Sequence, residues 1–131
     1  VYPGKKGNYK ETDPLLHSSN YAWSKLGGES AVQMYKNSLI IRASMTEKPF
    51  VHKQAYANVI TNFIYHEDFI KIFKKLIHKK GVFNVGGPTN SVYNFAKSNN
   101  PKIKKIFLKN KKRSLMPINS SMNFSKLKKF I

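Results

Sequence analysis

Three pairs in this chain place a tyrosine four residues before a lysine: Tyr2/Lys6, Tyr21/Lys25 and Tyr93/Lys97. On a helix that spacing stacks the two side chains on one face, so an ammonium group stands beside a phenol. Such a phenol can give its proton to the oxygen of a carbonyl under reduction, and the ammonium charge stabilises the phenolate left behind. A free tyrosine ionises near pH 10, too high for ready exchange near neutrality. The lysine is therefore the part that makes the pair useful.

Spacing alone discriminates poorly. With 7 Tyr and 24 Lys plus Arg in 131 residues, roughly one such pair is expected by chance. Tyr2/Lys6 straddles Pro3-Gly4, which reads as a turn. Tyr93/Lys97 follows Gly86-Gly87-Pro88 with no second chemical group nearby. Tyr21/Lys25 stands at the start of an expected helix over residues 20–35, which Ser18 or Ser19 would cap.

The elements that must hold this pair are legible to different degrees. Gly27 and Gly28 interrupt the helix, and each costs about 1 kcal/mol against Ala in a helix interior. Such a pair calls for close packing, either by another helix or by the parent sheet. Residues 38–44 form an apolar run ending in Arg42, Ala43 and Ser44, the pattern of a buried parallel strand delivering groups to a site. Residues 45–65 show no regular period, and 46–52 read as a loop that reaches over substrate, with His52 exposed on it.

Residues 68–80 give the clearest amphipathic helix, with Phe69, Ile72, Phe73, Leu76 and Ile77 on one stripe and Gly81 as its stop. His66-Glu67-Asp68 at its start suits the positive end of a helix; it lacks the convergent spacing of a metal site. A strand over 82–85, a helix from Ser91 to about Ser98, a strand over 102–108 and a terminal helix beginning near Ser125 complete an α/β alternation.

Several motifs in order carry a family resemblance. Val1-Tyr2-Pro3-Gly4 followed by Gly7-Asn8-Tyr9-Lys10-Glu11-Thr12-Asp13-Pro14, then Tyr21 to Glu29 as a Y-x-x-S-K-x-x-x-E pattern, precede Asn84-Val85-Gly86-Gly87 and the closing Asn119-Ser120-Ser121-Met122-Asn123-Phe124-Ser125-Lys126-Leu127. Together they resemble the extended short-chain dehydrogenase/reductase family, in its dTDP-4-dehydrorhamnose reductase and nucleotide-sugar epimerase branch. The resemblance implies the C-terminal portion of a Rossmann-like NAD(P)-binding fold with a small substrate-binding lobe. Residues 1–44 would end the Rossmann-like domain, and 45–131 would mix the lobe with its late strands and helices.

It also implies roles. Tyr21 would be the proton donor and Lys25 its electrostatic partner, bonding the nicotinamide ribose of NADPH or NADH as well. Arg42, Ala43 and Ser44 would border the nicotinamide, with pairing to a carboxylate the alternative reading of Arg42. The family often has an Arg before the Pro of its closing segment, against a nucleotide diphosphate. Here Met116 precedes Pro117, and Arg113 is the nearby substitute. The implied partners are a nucleotide-sugar substrate and a second copy docked through the helix over 21–35.

The chain begins with Val and opens in mid-pattern, so the expectation is a fragment lacking the first half, with the family's catalytic Ser or Thr just upstream and no activity alone. No Gly-rich turn suited to a dinucleotide pyrophosphate is present. A net charge of +18 invites a nucleic-acid reading, but only Arg42 and Arg113 are arginine, and the Lys excess reads as compositional. The absence of Cys fits a cytoplasmic protein, and no apolar run reaches the ~20 residues of a membrane helix. The rival readings are a nucleotide-sugar epimerase or dehydratase, a non-catalytic homologue and, third, a basic nucleic-acid-binding module.

Overall fold

The computed structural model describes residues 2–16, 19–110 and 116–131. Helix α1 spans Asn20–Gln33, and its N-cap is Ser19, whose hydroxyl accepts from the Ala22 N–H at 3.2 Å. Eight strands, two helices and a closing 3-10 turn follow it among the described residues. In chain order they are β1 (Leu39–Ala43), β2 (Met45–Thr46), β3 (Gln54–Tyr56), β4 (Ile60–Thr61), β5 (Ile64–Tyr65), α2 (His66–Leu76), β6 (Gly81–Val85), β7 (Asn90–Ser91), α3 (Val92–Lys97) and β8 (Lys104–Ile106), with the turn at Leu127–Lys129.

The strands pair as β1 with β6, β2 with β5 and β3 with β8, all parallel, and β4 with β7 antiparallel. In the longest ladder Leu39 lies opposite Gly81 and Ala43 opposite Val85. Residues 45–65 hide their structure from a periodicity reading for a simple reason. Their strands are two or three residues long, too short for an alternation to repeat.

Several boundaries differ from expectation, among them the strand expected over 102–108, which is only Lys104–Ile106. Helix α2 starts at His66 and ends at Leu76, so Gly81 is not its stop. Gly81 instead opens β6 with a φ of +93°, where its N–H reaches the Ser38 carbonyl at 2.8 Å; that backbone region favours a residue without a Cβ. The expected terminal helix is the single 3-10 turn.

Burial follows the apolar pattern. Leu76, Phe83, Val85 and Leu127 form one cluster, with Phe69 and Ile72 of α2 and Leu39 and Ile41 of β1 packed against it. A second cluster, Phe50, Ala55, Ala96 and Ile103, gathers the β3–β8 ladder and α3. In a third cluster Tyr2 and Tyr9 stack with ring centroids 4.9 Å apart, beside Met122. Gly86 and Gly87 let two backbones meet: a Cβ on either would stand about 2.5 Å from the Asn62 or Phe63 carbonyl oxygen.

Most of helix α1 is exposed. Only Ala22 and Glu29 are buried on it, while Trp23, Met34 and Tyr35 stand in solvent. Open space surrounds both Gly27 and Gly28, so among the described residues neither a second helix nor the chain's own sheet packs on them.

Candidate active site

A cavity of about 600 Å³ opens between α1 and β1. One wall is a single stripe of the helix, Tyr21, Lys25, Gly28, Glu29 and Val32, whose three- and four-residue spacing puts them on one face. The lining also includes β1 continued through Ser44 and Met45, and Pro117, Ser120 and Met122 of the closing segment. Tyr21 is 73% exposed to solvent. The Lys25 ammonium lies 5.3 Å from the centre of its ring.

The two other Tyr/Lys pairs separate on position. Tyr93 and Lys97 sit on α3 in nearly the same relation, 5.7 Å from ammonium to ring centre, with Lys105 over the ring as well; neither Tyr93 nor Lys97 lines the cavity. Tyr2 is buried, and Lys6 lies over Tyr9 instead. Of the three pairs, Tyr21/Lys25 alone borders this cavity with both side chains.

Arg42 points inward, and the carboxylate reading of it fits the structure. Its Nε donates to both Glu29 carboxylate oxygens at 3.2 Å and its Nη2 to Oε1 at 2.6 Å. Nη1 donates to the Tyr2 hydroxyl at 2.7 Å and to the Glu11 carbonyl at 2.9 Å. Both side chains of the Arg42–Glu29 pair are 6% exposed. Burial opposes the Arg42 charge, yet the bonds to Glu29 and Tyr2 outweigh it and hold the guanidinium above the ordinary arginine range.

The Tyr2 hydroxyl donates in turn to Asn84 Oδ1 at 2.6 Å. Burial pushes this phenol up, against the lowering effect of Arg42. Ala43 and Ser44 do line the cavity, and the Ser44 and Thr61 hydroxyls share a hydrogen bond of 2.9 Å. Arg113 lies outside the described residues, as does Ser18.

Sequence reasoning missed the Glu29–Arg42–Tyr2–Asn84 network. A signal existed: a lone arginine inside the apolar run of β1 needs a buried anionic partner, and Glu29, one turn beyond Lys25, is the carboxylate that helix α1 carries. No group of three or more His, Cys, Asp or Glu among the described residues could hold a metal ion. No helix among them is long and apolar enough to cross a membrane.

A helix presenting Tyr and Lys over parallel strands defines part of a Rossmann-like α/β fold. Solved structures bear this out along the whole chain. A hypothetical dTDP-4-dehydrorhamnose reductase from Sulfolobus tokodaii matches with a TM-score of 0.81 and 24% identity, over 100% of this chain and 55% of its own. The dTDP-4-dehydrorhamnose reductase of Bacillus anthracis in complex with NADP gives 0.80 and 20%, over 98% and 55%. The UDP-glucuronic acid 4-epimerase of Bacillus cereus in complex with NAD gives 0.72 and 19%, over 99% and 50%. The chain thus spans about half the length of these structures. No family model and no curated protein sequence matches it.

Proposed function

We propose that this chain supplies the proton-donating half of a nicotinamide-dependent enzyme that reduces the carbonyl of a nucleotide-linked sugar. One observation supports this above the others: Tyr21 and Lys25 share a wall of the cavity in a fold that matches nucleotide-sugar reductases over the full chain. The Tyr21 phenol would give its proton to the forming alkoxide, and the Lys25 charge would stabilise the phenolate that results. Ser44, Ser120 and Pro117 would border the sugar.

The residues present fit one end of the cofactor. Lys25 is exposed and unshared with any carboxylate among the described residues, so its ammonium suits the nicotinamide ribose. Gly86 and Gly87 are pressed against protein carbonyls and make no cradle for a pyrophosphate. A bound NADH or NADPH supplies the hydride; the chain's part is to orient the sugar and to deliver one proton.

The dehydratases and epimerases that share the fold match less closely, with TM-scores of 0.70 to 0.72, which favours the reductase reading. The test is Tyr21→Phe in the catalytically complete protein. Turnover should fall by at least about a hundredfold, the scale of general acid catalysis, while nucleotide-sugar binding persists. Unchanged turnover would remove Tyr21 from the chemistry, and cofactor recovered unconsumed would move the reading to an epimerase or dehydratase.

A further inference from the structure

Helix α1 repeats its charged positions at an interval that creates a conflict. Tyr21, Lys25 and Glu29 stand at i, i+4 and i+8, so Lys25 has the Tyr21 ring on one side and a carboxylate within side-chain reach on the other. A Lys paired with Glu29 would have its charge neutralised where Tyr21 needs it. The structure shows no such pair. Glu29 turns to β1, where Arg42 takes both oxygens and Gln33 Nε2 adds a bond to Oε1 at 3.0 Å.

We propose that Arg42 is a positioning residue: by holding the Glu29 carboxylate against β1 it keeps that charge away from Lys25 and leaves the ammonium free for Tyr21 and the ligand. The inference rests on the reading of Lys25 as the charge beside Tyr21. It also explains the chemistry of the partner. A lysine at position 42 could offer one point charge, whereas the planar guanidinium engages Glu29 through two nitrogens and still spends Nη1 on the Tyr2 hydroxyl and the Glu11 carbonyl. The ionisable groups facing the cavity are Tyr2, Tyr21, Lys25, Glu29 and Arg42. Glu29 is the single carboxylate among them, so its position decides whether Lys25 is free.

The consequence is specific because a buried carboxylate cannot stay unpaired at low cost. With Arg42 removed, the nearest free cation along the helix face is Lys25, and Glu29 should recruit it. The measurement is the rate at which an amine-reactive reagent modifies Lys25 in the folded chain, read by peptide mass spectrometry against the exposed Lys104 and Lys128 in the same sample.

In Arg42→Met the Lys25 rate should fall roughly two- to fivefold relative to those lysines, the factor a modest ion pair represents. In the double variant Arg42→Met/Glu29→Gln it should return to the wild-type ratio. A purely structural link between α1 and β1 would behave otherwise, because the double variant lacks that link as well and would show no rescue; that outcome overturns the proposal. So does an Arg42→Met chain that fails to fold while the double variant folds, since Lys25 would then be unable to reach the released carboxylate. No turnover is read, so a failed result here stays distinct from a failed Tyr21→Phe test.

Discussion

Tyr2 holds its proton between two partners, donating to Asn84 and accepting from Arg42, and burial raises it above the ordinary phenol value of 10.0. For a group whose folded-state value is raised, the stabilisation is fully present below the unfolded value and is lost as pH rises through the folded one. Stability should therefore hold to about pH 10 and then decline with this phenol as one contributor. Urea unfolding of wild type and Tyr2→Phe between pH 8 and 11.5 checks it. The variant should be weaker at pH 8 by about 1–3 kcal/mol, because Arg42 and Asn84 lose a buried partner, and the gap should narrow at the alkaline end. A gap constant with pH would show that the phenol value is the same in the folded and unfolded chain, so that burial does not raise it. At this scale the sequence placed Tyr21 and Lys25 side by side because their spacing alone sets their relation on a helix. It did not reveal that Arg42 bonds Glu29, since that contact joins residues 13 apart across a helix and a strand.

Elements in this chain use glycine in two opposite ways, and substitution separates them. Gly27 lies inside α1 with nothing near a Cβ, so Gly27→Ala should stabilise the 131-residue chain by up to about 1 kcal/mol through helix propensity. Gly86→Ala should do the reverse. Its Cβ would fall 2.5 Å from the Asn62 carbonyl oxygen, and overpacking of this kind costs about 1–3 kcal/mol. Thermal unfolding of both variants decides the signs; a loss at Gly27 would mean that something packs on that face of α1. The caps were readable: Ser91 accepts from the Asn94 N–H at 3.1 Å and starts α3 as expected. The strands between 45 and 65 were not, because each is defined by its partner across the fold rather than by its own few residues.

Across the whole molecule the two outer edges of the β1–β6 ladder are treated differently. In this register Ser44 N–H bonds the Val85 carbonyl and Gly81 N–H the Ser38 carbonyl, so the even-numbered residues of β1 face β6. The outward side of β6 is covered: Glu11 Oε1 accepts from the Asn84 N–H at 3.0 Å, and Lys126 Nζ donates to the Val82 carbonyl at 2.6 Å. The outward side of β1, at Leu39, Ile41 and Ala43, has no main-chain partner among the described residues and faces the cavity. A bare edge beside an apolar wall is a template for another strand. In hydrogen exchange on this chain at low concentration, the amides of Leu39, Ile41 and Ala43 should exchange at least about tenfold faster than those of Ile40 and Arg42. Protection that appears as concentration rises would mean that copies pair through the edge, whereas equal protection at every concentration would mean that the edge is already filled and that the space between α1 and β1 is closed in solution. The outcome bears on the proposed reaction too, because a strand that fills this edge would run beside the wall from which Tyr21 and Lys25 project, and would bring its own side chains to the same cavity.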